Sequence, residues 1–314
     1  MQTFKGYYFY PQWYGTSLAL NRYYSLGKEK TKLILGNSFT QTAINPRELN
    51  SKNNQYVVLG RGGSATTELM YWVLQQDLRP PEIIVEVNGR NFRNSYPVDY
   101  DLIYPESSRA FDLFKHQVEV SIKFQVERIL SFMTYDINLG DYLTIFRRTG
   151  SVIKTFESAF FPGKKNHMRM EHPIDGHTPE SRVFNHEEIK QNTRHYYKHY
   201  KEHMESRKAS LNANLTLLRE LSAKFLKKNI AISFIRLPRD SAIVNLENKY
   251  FPELFMICDY LAATNTDIRY IDLSKKETSL QYQGLLSDGA HWSREGSKQI
   301  TAHLKALFNS QTSW

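Results

Sequence analysis

The sequence predicts an α/β protein: a three-layer α/β/α sandwich on a five-stranded parallel sheet, with a helical insertion. Three observations carry this. Five short, continuous apolar runs each end in turn-forming or polar residues. Segments with apolar residues at helical spacing lie between or after them. Glycines and small polar residues collect where the runs stop. Alternation of strand and helix is the pattern of parallel βαβ units, and ligands of such sheets bind beyond the carboxyl ends of the strands.

The runs come in this order. Lys32 to Leu35 leads into Gly36-Asn37-Ser38, and Tyr56 to Leu59 into Gly60-Arg61-Gly62-Gly63. Ile83 to Val87 leads into Asn88-Gly89, Ile230 to Ile235 into Leu237-Pro238, and Ile268 to Ile271 into Asp272. Unbroken apolar runs of this length suit strands covered on both faces. Helices are expected over Thr66 to Gln76, Leu211 to Lys228, Leu246 to Ala262 and Lys298 to Phe308. Residues 92–208 break the alternation. Ala110 to Phe132 and Glu187 to about Ser206 have helical patterns, and Phe160 to Phe184, rich in Pro, Gly and His, reads as loop. The expected organisation is an N-terminal extension over 1–31, an α/β core over 32–91 and 209–314, and a mainly helical insertion or cap over 92–208.

Composition narrows the class. The chain has 314 residues, long enough to bury a core without disulfide or metal staples. Hydrophobic residues at 41% and charged residues at 23% exclude disordered, collagen-like and coiled-coil proteins. The single cysteine, Cys258, lies in an apolar stretch and reads as a small core residue. The 41 Lys and Arg against 32 Asp and Glu give a formal net charge of +9, which favours solubility and attracts polyanions. No apolar run is long enough for a transmembrane helix. The first residues, MQTFKGYYFYPQWYG, lack the apolar region of a signal peptide. The compartment is therefore cytoplasmic, or extracytoplasmic at the cell envelope if a leader or anchor precedes this stretch.

Two short segments can carry chemistry. Gly36-Asn37-Ser38-Phe39-Thr40 places a serine where a strand opens into a helix, beside backbone N–H groups that favour developing negative charge. The same residues also read as a plain N-cap. Ser287-Asp288-Gly289-Ala290-His291-Trp292-Ser293 holds a carboxylate three residues before an imidazole, ahead of a helix that Ser293 would cap. That offset lets Asp288 orient His291, or it is a capping turn with a surface histidine. Taken together, Ser38, His291 and Asp288 supply a nucleophile, its base and the group that orients the base.

On these residues the chain resembles the SGNH/GDSL hydrolase superfamily, whose core is flavodoxin-like. Gly36-Asn37-Ser38 matches the Gly-Asp-Ser block, with Asn in place of Asp. Val58-Leu59-Gly60-Arg61-Gly62-Gly63 matches Asn-x-Gly-x-x-Gly, with Val58 in place of Asn. Gly89-Arg90-Asn91-Phe92 matches Gly-x-Asn-Asp, with Phe92 in place of Asp. Asp288, His291, Trp292, Ser293 and Gly296 match the Asp-x-x-His block. The matched parts cover residues 32–91 and 209–314, and the insertion lies outside them.

The resemblance implies a serine esterase or O-acyltransferase with Ser38, His291 and Asp288 as triad. Its oxyanion hole would be the N–H of Ser38, the N–H of Gly60 and the amide of Asn91, with Asn88 as the alternate. Arg61 and Arg90 are the candidate substrate-binding residues. The expected substrate is an acyl ester on a carbohydrate or cell-surface polysaccharide, with an anionic polymer as one possibility given the +9 charge. No cofactor is implied. The competing reading is an inactive protein of the same fold that binds an anionic glycan or other polymer, suggested by Val58 and Phe92.

Weaker signals lie beside these. His195, His199 and His203 recur every four residues on one helical face, a spacing that can bind metal. The neighbouring Arg194, Lys198, Lys201 and Glu202 make a solvated basic face the expectation, and no metal site is expected. Lys164, Lys165, Arg169 and the histidines between 167 and 203 are a candidate surface for an anionic polymer. No nucleic-acid motif is present, so no nucleic-acid partner is expected. Gly60 to Gly63 lacks the ending of a phosphate loop.

Overall fold

The structure of the protein is a computed structural model that describes residues 19, 22–27, 29–60, 66–75, 78–90, 184–202, 204, 208, 211–275 and 284–310. In chain order its elements are β1 (Thr31–Gly36), α1 (Ser38–Ala43), α2 (Pro46–Leu49), β2 (Gln55–Gly60), α3 (Thr66–Gln75), β3 (Glu82–Glu86), α4 (His186–Glu202), α5 (Leu211–Lys227), β4 (Ala231–Arg236), α6 (Ser241–Tyr250), α7 (Pro252–Thr264), β5 (Ile268–Asp272) and α8 (Arg294–Ser310). The five strands form one parallel sheet in the order β2-β1-β3-β4-β5. This is the doubly wound, flavodoxin-like order, in which the chain winds one way from β1 to β2 and the other way from β3 onward.

The two faces follow from side-chain alternation along each strand. Leu33, Leu35, Val57, Leu59, Ile83, Val85, Ile232 and Phe234 pack on one face with residues of α3, α5 and α7. Ile34, Tyr56, Val58 and Ile84 point to the other, where Ala43, Ile300, Leu304 and Phe308 cover them. Helices thus lie on both faces, which explains why the strand sequences read as unbroken apolar runs. Cys258 is buried in the first of these clusters.

Two expectations need correction or refinement. The single helix expected over Leu246 to Ala262 is two, because Phe251 leaves helical geometry (φ −130°, ψ 36°) and Pro252 starts the next helix. Proline suits a first helical position, where its missing N–H is not needed. The sequence reading also began this element too late, since α6 starts at Ser241, capped by Asp240. The described end of the insertion is a core element: Tyr196 and Tyr200 of α4 and the nearby Met204 are buried in the main cluster. Residues 91–183 lie outside the described residues, and with them the expected helix Ala110 to Phe132 and almost all of the expected loop Phe160 to Phe184. Among the described residues no helix is long and apolar enough to cross a membrane.

Candidate functional site

The site is built where β1 ends. Gly36 closes the strand, and a Cβ there would lie 1.8 Å from Thr40 Oγ1, so only glycine lets α1 fold back so tightly over the strand end. Asn37 is the N-cap: its side-chain oxygen accepts from the Phe39 N–H at 2.8 Å. Ser38 is then the first helical residue, and its hydroxyl is not spent on capping. Capping therefore falls to Asn37, and the adjacent Ser38 hydroxyl is left for the contact with His291.

The Ser38 hydroxyl meets His291 Nε2 at 2.9 Å, and His291 Nδ1 meets Asp288 Oδ2 at 2.7 Å. The other Asp288 oxygen accepts from the backbone N–H of His291 at 2.8 Å and of Ala290 at 3.1 Å. Burial works to raise the Asp288 carboxyl, but the hydrogen bond and charge of His291 and these two amides outweigh it and hold the carboxyl below its ordinary value. An ionised carboxylate only accepts, so Nδ1 is the donor and the Nε2 lone pair faces the serine hydroxyl. The line can pass a proton from Ser38 to His291 while Asp288 steadies the imidazolium.

Local chemistry fixes both ends of this line. Gly289 sits at φ +82°, a conformation side-chain-bearing residues rarely adopt, and its carbonyl accepts from the Asp240 N–H at 2.9 Å. Ser293 caps α8, its hydroxyl accepting from Gly296 N–H at 3.1 Å. The Trp292 N–H donates to Thr42 of α1 at 3.2 Å, and Ser297 and Thr301 of α8 donate to the Ala43 carbonyl at 2.9 and 3.2 Å. Helices α1 and α8 are thus tied directly, so serine and histidine share one frame although 253 positions separate them.

Below the line lies a buried ionic knot. Arg239 bonds both Glu86, at the end of β3, and Glu247 of α6. Glu86 also accepts from Thr40 at 2.5 Å, two residues past Ser38. Glu247 accepts from the Tyr200 hydroxyl at 2.7 Å, the Gly89 N–H at 3.1 Å and Arg236 at 3.3 Å. Burial pushes the Glu86 carboxyl up, against the pull of Arg239. Burial pushes Glu247 the same way, but Arg239, Arg236 and the Tyr200 and Gly89 donors outweigh it, and its carboxyl lies low. The knot joins α1, the loop after β3, the loop after β4 and α4.

Aromatic rings wall one side. Phe39 and His291 have ring centroids 4.8 Å apart, and Tyr196 of α4 stands edge-on to His291 at 6.0 Å. Arg90 donates to the Tyr196 hydroxyl at 2.7 Å, with its guanidinium carbon 5.5 Å from each of the Phe39 and Tyr196 ring centroids. Burial pushes the Tyr196 phenol up to about 12, so it remains a donor at neutral pH.

The expected site residues divide as follows. Ser38, His291 and Asp288 come together, and Arg90 stands beside them. Gly60 ends β2 opposite Gly36 at the same rim. Its missing Cβ makes room for Gln41 of α1, whose side-chain amide donates to the Gly60 carbonyl at 2.9 Å. Asn88 is fully buried; its oxygen accepts from the Arg90 N–H at 2.9 Å, and its side chain helps hold Glu86 charged. Arg61, Asn91 and Phe92 lie outside the described residues, as do His203, Lys164, Lys165 and Arg169. Val58, which replaces an asparagine of the resembled block, is a fully buried core residue. His195 and His199 of α4 are exposed, and among the described residues no cluster could hold a metal ion.

Sequence reasoning missed Phe39, Tyr196 and the knot. Two signals were available: Glu86 is an acid inside an apolar strand run, and Tyr196 and Tyr200 are four apart, hence on one face of α4. Compared with known proteins, the chain matches no protein-family model and no curated protein.

Proposed function

We propose that this protein is an SGNH/GDSL-type serine-dependent ester hydrolase or O-acyltransferase, working through an acyl-Ser38 intermediate on an O-acylated carbohydrate or cell-surface polysaccharide. One observation carries the reading: the Ser38–His291–Asp288 line, spaced 2.9 and 2.7 Å, at the rim where strand order reverses. Ser38 Oγ attacks the ester carbonyl carbon as its proton passes to His291 Nε2. The carbonyl oxygen becomes an oxyanion, met by the N–H groups of Ser38 and Gly60 and, by the resemblance, the Asn91 amide. Collapse of this intermediate expels the alcohol, which takes the proton from His291. Water then attacks the acyl-enzyme for hydrolysis, or a sugar hydroxyl for transfer, with His291 again as base. An oxyanion donor of this kind contributes about 2.7–4 kcal/mol to transition-state stabilisation.

The test is acetyl release from nitrophenyl acetate and a panel of acetylated polysaccharides, with and without sugar acceptors. Wild type is expected to release acetate or move it to an acceptor, and Ser38→Ala to lose that activity. The substitutions at Val58 and Phe92 favour a second reading, an inactive protein of this fold that binds an anionic glycan. It expects no release by either protein and a glycan affinity that falls as salt rises.

A further inference from the structure

Arg90 differs from the other arginines around the strand ends. Arg236 and Arg239 bond Glu247, Arg239 also bonds Glu86, and Arg269 bonds Glu82. Arg90 bonds only the neutral Tyr196 hydroxyl and has no carboxylate partner among the described residues. The two tyrosines of α4 differ in the same way. Tyr200 donates its hydroxyl hydrogen to Glu247. The Tyr196 oxygen accepts from Arg90, and no described residue accepts the Tyr196 hydrogen.

Two half-buried or buried donor groups therefore converge, and among the described residues no acceptor takes the Tyr196 hydrogen or the remaining Arg90 side-chain donors. They are also held in place. The Asn88 side chain fixes the Arg90 N–H, Glu247 fixes the Gly89 N–H before it, and the Phe39 and Tyr196 rings flank the guanidinium. Both rings also touch His291, so the donors lie next to the Ser38–His291 pair. Flat guanidinium N–H groups match a carboxylate, and charge-assisted bonds strengthen away from water. A single cation, unmatched among the described residues, suits a single negative charge better than a phosphate dianion.

We propose that Arg90 and Tyr196 form a binding fork for a carboxylate carried by the molecule that reaches Ser38. The place of the fork in catalysis rests on the acyl-Ser38 reading; its affinity for carboxylates does not. The carboxylate belongs either to the sugar, as in a uronic acid, or to the acyl group, as in a dicarboxylic half-ester.

The test is binding to the full chain carrying Ser38→Ala, so that no ester turns over, measured by NMR titration. The sugar arm compares methyl glucuronoside with methyl glucoside, and the acyl arm compares monomethyl succinate with methyl butyrate. In one arm the carboxylated member is expected to bind about tenfold or more tightly than its neutral partner. Adding Arg90→Gln is expected to abolish that preference. Adding Tyr196→Phe, which keeps the ring and removes the donor, is expected to cut it about threefold, and it tests the fork if Arg90→Gln fails to fold. The arm that responds names the source of the carboxylate. No preference in either arm, or a preference that survives both substitutions, overturns the proposal. Because Ser38 is absent from the measurement, these outcomes are independent of whether wild type forms an acyl-enzyme.

Discussion

The two ends of the sheet carry similar chemistry put to different use. Near the amino end, Glu82 of β3 is held by Lys32 of β1 at 2.8 Å, Arg269 of β5 at 2.5 Å and Ser233 of β4. Every member belongs to a strand, so the cluster rivets the sheet to itself. At the carboxyl end, Glu86 and Glu247 are held by Arg239, Arg236 at the end of β4 also bonds Glu247, and the other partners are Thr40, Tyr200 and the Gly89 N–H, which lie on helices and loops after the strands. That cluster positions the segments bearing Ser38 and Arg90. The difference lies in what the ion pairs join: strand-to-strand pairs at the amino end fix the frame, and at the carboxyl end Arg239, in the loop after β4, joins the end of β3 to α6 and so fixes the geometry above the sheet.

Substitutions at the two ends sharpen this contrast. The largest effect is expected above the carboxyl end. Asp288→Asn keeps the fold but favours the wrong His291 tautomer, and is expected to lower kcat of the proposed ester cleavage about 10⁴-fold, read by nitrophenyl ester kinetics. Arg239→Gln leaves Glu86 and Glu247 without their shared cation. Urea unfolding is expected to show a loss of about 3–5 kcal/mol, and kcat to fall by up to about 100-fold as α1 shifts. Arg269→Gln removes the corresponding cation at the amino end, where Lys32 still pairs Glu82 and solvent reaches the arginine. The expected loss is about 1 kcal/mol, with the rate of ester cleavage unchanged. Equal effects on activity from Arg239→Gln and Arg269→Gln would erase the distinction between the ends.

Smaller effects refine it. Gly289→Ala forces a side chain into φ +82° and brings a Cβ to 2.9 Å from Thr193 Cγ2 of α4. Thermal unfolding is expected to show about 1–2 kcal/mol of destabilisation. The pH dependence follows from Asp288, whose folded carboxyl lies below its unfolded value. Its contribution to stability is complete above the unfolded pKa, about 4, and is lost as pH falls through the lower folded value. Asp288→Asn is expected to flatten that part of the stability–pH curve.

The frame was legible in the sequence because strands buried on both faces leave apolar runs; the edge strand β5, half-buried and carrying Arg269, was readable too. The Ser38–His291–Asp288 line was legible because each member sits in a short segment with its own turn chemistry. The knot was not. Arg236, Arg239 and Glu247 look like ordinary surface charges in one dimension, and only the parallel pairing of β3 with β4 brings Glu86 alongside them. In α4 the histidines carry the more conspicuous chemistry in one dimension, while the tyrosine face, at the same four-residue spacing, is the one that packs against the site. The break at Phe251-Pro252, absent from the single helix expected over Leu246 to Ala262, is signalled by the proline alone.

The central claim is that the Ser38 hydroxyl is activated by its neighbours. The most direct test treats the folded protein with a fluorophosphonate and reads intact mass, followed by peptide mapping. One adduct on wild type, located at Ser38 and absent from Ser38→Ala, is the predicted result. A folded wild type that takes up no adduct, or takes it up at another residue, contradicts the account.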